Sequence, residues 1–155
     1  MKVTEAITTL KNYLREKNLK YTHQRQVVTE VFFDSAAEHL HPTIDELFLR
    51  VKAVDPKIGY ATVYRTIKLF EECNLASPRR FGDNQTRYEP EVPGEHHDHM
   101  VCQACGAIIE FEDERIEELQ ERVAKELGFT LSDHKMVLFG NPNQDCQVDA
   151  CLRSV

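Results

Sequence analysis

The stretch "EPEVPGEHHDHMVCQACG", residues 89–106, sets a Pro/Gly-rich break directly against three histidines, an aspartate and two cysteines. Two prolines and a glycine within residues 89–95 strip that part of helix propensity, and it reads as a hinge between two modules. The residues just after the break read as the start of a strand, in which successive side chains point to opposite faces. His97 and His99 then share one face, and His96 and Asp98 share the other. Groups at i and i+2 on a strand can both reach one ion at about 2.0–2.2 Å, whereas immediate neighbours generally cannot. One short segment therefore offers two metal-ligand pairs, back to back.

The break also divides the charge. The chain of 155 residues carries a net charge of −7, which argues at first against a nucleic-acid partner. Residues 1–88, however, hold 14 Lys/Arg against 11 Asp/Glu, a net +3, while residues 89–155 hold 5 against 15, a net −10. A mildly basic module followed by an acidic one points to different partners for each. With 41% hydrophobic residues the chain can bury a real core. No apolar run approaches the roughly 18–20 residues of a membrane span and no signal-peptide series opens the chain, so a cytoplasmic location is expected.

Before the break, helical signals dominate. Ala6, Leu10, Tyr13 and Leu14 recur at helical spacing behind Thr4, and Val27, Val28, Val31 and Phe32 do so behind Thr22, each threonine standing where an N-cap belongs. In "HPTIDELFLRV", Thr43 and Glu46 form a capping-box pattern, and Ile44, Leu47, Phe48 and Val51 make the apolar stripe, ended by Asp55-Pro56 and Gly59. "YATVYRTIKLFEEC" follows as a fourth helix, with Val63, Ile67 and Phe70 inward and Thr62, Arg65, Thr66 and Lys68 on the polar face; Cys73 reads as a small core residue. "LASPRRFGDNQTRYE" reads as a hairpin around Gly82-Asp83-Asn84, with Arg79, Arg80 and Arg87 on or beside it. Helices joined by a short turn and followed by a basic hairpin are the pattern of a winged helix-turn-helix, the fourth helix lying in the major groove. Tyr64 and Arg65 would then reach bases or phosphates, and Lys20, Arg25 and the wing arginines Arg79, Arg80 and Arg87 would track the backbone.

After the break, "DHMVC" and "AIIEF" flank a turn containing Cys105-Gly106 and read as a hairpin. "DERIEELQERVAKELG" is an amphipathic helix capped by Asp113, buried along Ile116, Leu119, Val123 and Leu127, and stopped by Gly128; "FTLSDHKMVLFG" closes as a strand. A small α/β domain with an exposed edge makes a homodimer the expected assembly. Glu110 and Glu89 are candidates to join His97/His99, and Glu117 and His134 are candidates to join His96/Asp98. Imidazole with carboxylate suits Fe(II), Mn(II), Co(II) and Zn(II). Cys102-x2-Cys105 is half of a structural zinc knuckle, for which Cys146-x4-Cys151 offers the other half.

With "THQR", "HPTIDEL", "YATVYRTI", "RYE", "HHDHMVCQACG", "IIEFED" and "DHKMVLFG" in this order, the sequence from about Lys20 to Gly140 closely resembles the ferric uptake regulator family. The resemblance implies an α+β chain: a winged-helix DNA-binding domain at 1–88, a hinge at 89–95, and a dimerisation and metal-binding domain at 96–155. It implies a homodimeric repressor on palindromic operator DNA, with pairing of dimers into tetramers left open. Carried over by position, it implies a regulatory site of His41, Glu89, His97, His99 and Glu110, and a second site of His96, Asp98, Glu117 and His134. The cysteines Cys102, Cys105, Cys146 and Cys151 would hold structural Zn(II). Asn141-Pro142 stands where many members place the first cysteine of the final pair, so both cysteines come later here. Similar peroxide sensors tend to carry aspartate at the positions of Glu89 and Glu110, so two glutamates point to Fe(II) as the regulatory ion, with Mn(II), Co(II) or Zn(II) able to substitute. A hydrolase would need an open coordination position, which ligand sets saturated by protein groups do not leave. A storage protein would leave the helix-turn-helix and wing unexplained.

Overall fold

The computed structural model describes residues 3–37, 40–91 and 96–143. The chain divides into two compact units, Met1–Gly94 and Glu95–Val155.

The first unit contains α1 (Val3–Glu16), α2 (His23–Ala37), α3 (Ile44–Val54) and α4 (Tyr60–Glu72), then a two-stranded wing of β1 (Ala76–Arg79) and β2 (Arg87–Pro90). Its core is continuous: Leu10 and Leu14 from α1, Val28 and Phe32 from α2, Leu47 and Val51 from α3, and Val63, Ile67 and Phe70 from α4 are all buried. Phe32, Phe33 and Phe70 meet with ring centroids 5.3 to 6.3 Å apart. The apolar periodicity located these helices correctly, and the helix starts followed local chemistry. Thr22 Oγ accepts from Arg25 N at 3.3 Å, and the Thr43/Glu46 capping box is complete in both directions. Thr4 is not an N-cap, because α1 already runs through Val3, whose side chain packs on the core and extends the apolar stripe backward. Thr66 is buried rather than on the polar face: its hydroxyl donates to Thr62 O at 2.7 Å, which satisfies the only group that would need water. Cys73 ends α4 partly buried, and burial pushes its thiol up to about 11.

In the wing, Ala76 pairs with Pro90 and Arg79 with Arg87, antiparallel. Gly82 (φ 85°) and Asn84 (φ 59°) take the left-handed conformation that glycine and asparagine tolerate best, and they turn the loop between the strands. Glu89 and Pro90, expected in the hinge, are the last residues of β2, since a proline is accommodated where a ladder ends. Of the expected hinge, residues 92–95 lie outside the described residues.

The second unit is a three-stranded sheet in the order β4 (Ile108–Phe111), β3 (Asp98–Cys102), β5 (Val137–Gly140), with α5 (Glu114–Glu126). β3 pairs antiparallel with β4 and parallel with β5. Asp113 caps α5 through Arg115 N at 3.0 Å, and its side-chain bond from the Arg115 guanidinium holds the carboxyl down at about 2. Gly128 (φ 86°) lets the chain leave the helix. Two expectations fail. The closing strand is only four residues long, so His134 stands in irregular chain ahead of it. The apolar stripe of α5 is not buried within the chain: Leu119, Val123 and Leu127 are exposed, as are Phe129, Leu131, Leu138 and Phe139.

Replacing Thr43 by alanine removes the hydroxyl that accepts from Glu46 N and leaves the backbone arm from Thr43 N to Glu46 Oε2 in place, and is expected to lower unfolding stability by about 1 kcal/mol. Urea denaturation with an unchanged slope checks it; an unchanged midpoint would show that the cap is dispensable.

Candidate metal centres and DNA-facing residues

The alternation read from residues 96–99 is carried through by the fold, although β3 itself begins only at Asp98. His96 and Asp98 face a cluster completed by Glu117 from α5 and His134 from the segment before β5. His96 Nε2 lies 2.8 Å from His134 Nε2, 3.6 Å from Asp98 Oδ1 and 3.8 Å from Glu117 Oε1. His134 Nε2 lies 3.4 Å from Asp98 Oδ1 and 3.5 Å from Glu117 Oε1. Four ligands about 2.0–2.1 Å from a common centre stand about 3.3–3.4 Å from one another in a tetrahedron, so these separations fit a single divalent ion. The donor chemistry agrees. Asp98 Oδ1 and Glu117 Oε1 are buried and accept no hydrogen bond, a costly arrangement unless something positive comes between them.

The other face of the same segment carries His97 and His99, whose rings meet edge to face with centroids 4.9 Å apart. Register sets His99 opposite Glu110 on β4, and His97 Nε2 lies 3.8 Å from Glu110 Oε1. This makes a half-set of two imidazoles and one carboxylate, with His99 buried.

In the first unit, His41 and Glu89 form a second half-set. Both are buried, and His41 Nε2 is 3.5 Å from Glu89 Oε2. Their meeting is a product of the wing. Glu89 is on β2, and the segment before α3 is stitched to that strand by Tyr88 N donating to Pro42 O at 2.9 Å and by a bridge between Thr43 and Arg87. Arg87 completes the seam: its Nη1 donates to His41 O at 3.0 Å and to Glu46 Oε2 at 3.1 Å, and its Nε to Asp83 Oδ2 at 3.0 Å. The His41 ring packs edge-on against Phe81, centroids 5.3 Å apart. The sequence set Arg87 among the wing arginines expected to track a DNA backbone, whereas its guanidinium is engaged within the unit. Its position two residues before Glu89, on the same face of β2, was the available signal for a structural role.

Of the cysteine set, Cys102 is buried at the end of β3 and Cys105 lies in the following turn, which Gly106 closes at φ 75° by donating to Cys102 O at 2.8 Å. β5 ends with Gly140 opposite Cys102, so the chain leaves the sheet beside the knuckle. Cys146 and Cys151 lie outside the described residues.

The residues expected to face DNA divide into two kinds. Tyr64 and Arg65 are exposed on α4, with Arg65 Nε donating to Ala61 O at 3.0 Å. Tyr60, exposed at the start of α4, is held by a hydrogen bond to Asp45 that raises its hydroxyl above the ordinary range. Lys20 and Arg80 are exposed. Arg25 instead turns its guanidinium onto Lys20 O, and Arg79 turns its own onto the Glu89 carboxylate, so both are engaged within the unit.

The ferric uptake regulator family is matched over residues 16–139. The chain is 43% identical over 140 residues to a ferric uptake regulation protein of Rhizobium leguminosarum bv. viciae, spanning 90% of this chain and 96% of that relative. Among solved structures it is similar to a zinc-bound manganese uptake regulator, with a TM-score of 0.67, 44% identity, and 86% and 98% of the two chains covered. It is also similar to the ferric uptake regulator of Helicobacter pylori, described as revealing three functional metal binding sites, with a TM-score of 0.81, 29% identity and coverages of 92% and 93%. Among the described residues no helix is long and apolar enough to cross a membrane.

His134→Ala is expected to lower the number of divalent ions bound per chain by one while leaving His97, His99 and Glu110 in place. Equilibrium dialysis against Zn(II) measures it, and an unchanged stoichiometry would rule out the four-ligand arrangement.

Proposed function

The chain belongs to the ferric uptake regulator family, a family of metal-responsive transcriptional regulators rather than enzymes, and on that premise we propose that it represses iron-uptake genes when Fe(II) is held by His41, Glu89, His97, His99 and Glu110. The observation that carries the reading is the spacing of the two half-sets. Each unit holds imidazole and carboxylate atoms 3.5 to 3.8 Å apart, close to the ligand separation expected around one first-row ion. Neither half-set alone fills a coordination sphere. Both glutamates support an iron or manganese sensor over a peroxide sensor.

A bound divalent ion supplies the positive charge that holds neutral imidazoles and carboxylates of both units together. His41 and Glu89 act for the DNA-reading unit, and His97, His99 and Glu110 for the other. Their joint ligation restricts the positions that two winged helices of a dimer sample, and raises the fraction able to meet successive major-groove half-sites of a palindromic operator. If that fraction were about 1% without metal, full loading would tighten operator binding by at most about a hundredfold, near 2.7 kcal/mol. Ligation needs neutral imidazoles, so activation weakens on acidification. Within this reading His96, Asp98, Glu117 and His134 hold a second divalent ion, and Cys102 and Cys105 combine with Cys146 and Cys151 around structural Zn(II). The exposed apolar side chains of α5, with Phe129 and Phe139, form the face by which two copies pair, and repression of operator DNA places the protein in the cytoplasm.

Manganese is the second reading, supported by the 44% identity to a manganese uptake regulator. Affinity order among divalent ions does not name the physiological one, because availability does. The deciding experiment titrates operator binding at fixed salt with Fe(II), Mn(II) and Zn(II), each buffered at its cellular level. Response to Fe(II) at that level is expected; response to Mn(II) alone would transfer the assignment, and metal-independent binding would overturn it. His99→Ala is expected to abolish metal-dependent operator binding with the dimer intact, as read by gel shift and sedimentation. Arg65→Ala is expected to weaken operator binding without changing bound metal, and loss of metal in that variant would contradict separate metal and DNA roles.

A further inference from the structure

The two oxygens of the Glu89 carboxylate have different neighbours. Oε2 faces His41 Nε2, and Oε1 accepts a hydrogen bond from Arg79 Nε. Register explains the second contact. Ser77 stands opposite Glu89 and Arg79 opposite Arg87, so these four residues share one face of the wing and Arg79 reaches Glu89 on the diagonal. Glu89 is 3% exposed, and a carboxylate buried to that degree needs a counter-charge. Arg87, the other cation on this face, is committed to Asp83, Glu46 and the His41 carbonyl. Arg79 supplies the charge, and it does so from the edge of the interior: its side chain is 18% exposed and the next residue, Arg80, is exposed.

Building on the reading that Glu89 is a metal ligand, we propose that Arg79 is a displaceable counter-ion: it neutralises Glu89 when no metal is bound, gives up that carboxylate on loading, and then offers its charge to the DNA backbone. The reason is electrostatic. A guanidinium and a divalent cation repel when they share one buried carboxylate, and the group tied to a flexible stem next to solvent is the one that leaves. Metal loading and DNA affinity would then be linked by an exchange of charge inside the wing, in addition to any restriction of the hinge. Arg79 tunes metal affinity downward in the free protein and adds a phosphate contact in the loaded one.

The test uses the full chain and Mn(II) as the probe, with binding constants read by competition against a chromophoric chelator in the absence of DNA. Arg79→Gln keeps a hydrogen-bond donor for Glu89 but removes the charge, and is expected to bind Mn(II) about ten- to hundredfold more tightly, the range spanned by a hydrogen bond to a charged group. Arg79→Lys, which retains charge without the planar fork, is expected to fall between the two and serves if the glutamine variant does not fold. Equal or weaker binding in both would overturn the proposal. With Mn(II) saturating, the slope of log affinity for an operator duplex against log salt is expected to be shallower by about 1 per chain in Arg79→Gln; an unchanged slope overturns the DNA half. Glu89→Ala separates this idea from its premise. If Glu89→Ala keeps every Mn(II) at wild-type affinity, the ligand reading itself fails; if it loses one ion while Arg79→Gln binds no tighter, only the counter-ion role fails.

Discussion

Side chains on an extended backbone alternate between two faces, and this constraint organises the chemistry of both units. At residues 96–99 it sends His96 and Asp98 one way and His97 and His99 the other, so four consecutive polar residues serve two clusters without competing. On β2 the same period puts Arg87 and Glu89 on one face, and β1 adds Ser77 and Arg79 to it. A shift of either ladder by one residue would turn these groups to the opposite face and dissolve the clusters.

The wing is therefore tied into the rest of its unit. Its second strand carries a buried carboxylate, and Arg87 ties that strand to the carbonyl of His41 and to the capping glutamate of α3. The helix cap, the wing and the backbone of His41 are parts of one hydrogen-bonded seam, with Glu89 on the strand that carries it. A fold that built its carboxylate on an isolated loop would lack that mechanical connection.

Much of this was legible in the chain. Apolar periodicity located the five helices of the described residues because each follows from spacing within a single segment, and the Thr22 and Thr43 caps follow from side-chain oxygens near their own backbone. The division of His96/Asp98 from His97/His99 needed only the assumption of extended chain. Reasoning failed where the answer depended on more than local spacing. Thr66 has the composition of a surface residue, but a back-bond to Thr62 makes its burial cheap. Leu119, Val123 and Leu127 have the spacing of a buried stripe, but spacing says only that the face is apolar, and among the described residues nothing covers enough of it to bury it.

By itself the sequence determined the helices, the Thr22 and Thr43 caps, and the split of one histidine-rich segment into two faces, because all of these are set by neighbours within a few residues. The tertiary structure brought Glu117 and His134, already candidates in the sequence, to the His96/Asp98 cluster, and it alone decided that Arg87 holds the His41 carbonyl and that Arg79 answers the charge of Glu89. Those pairings join residues from different elements, and only the register of the strands and the docking of the helices bring them to bonding distance.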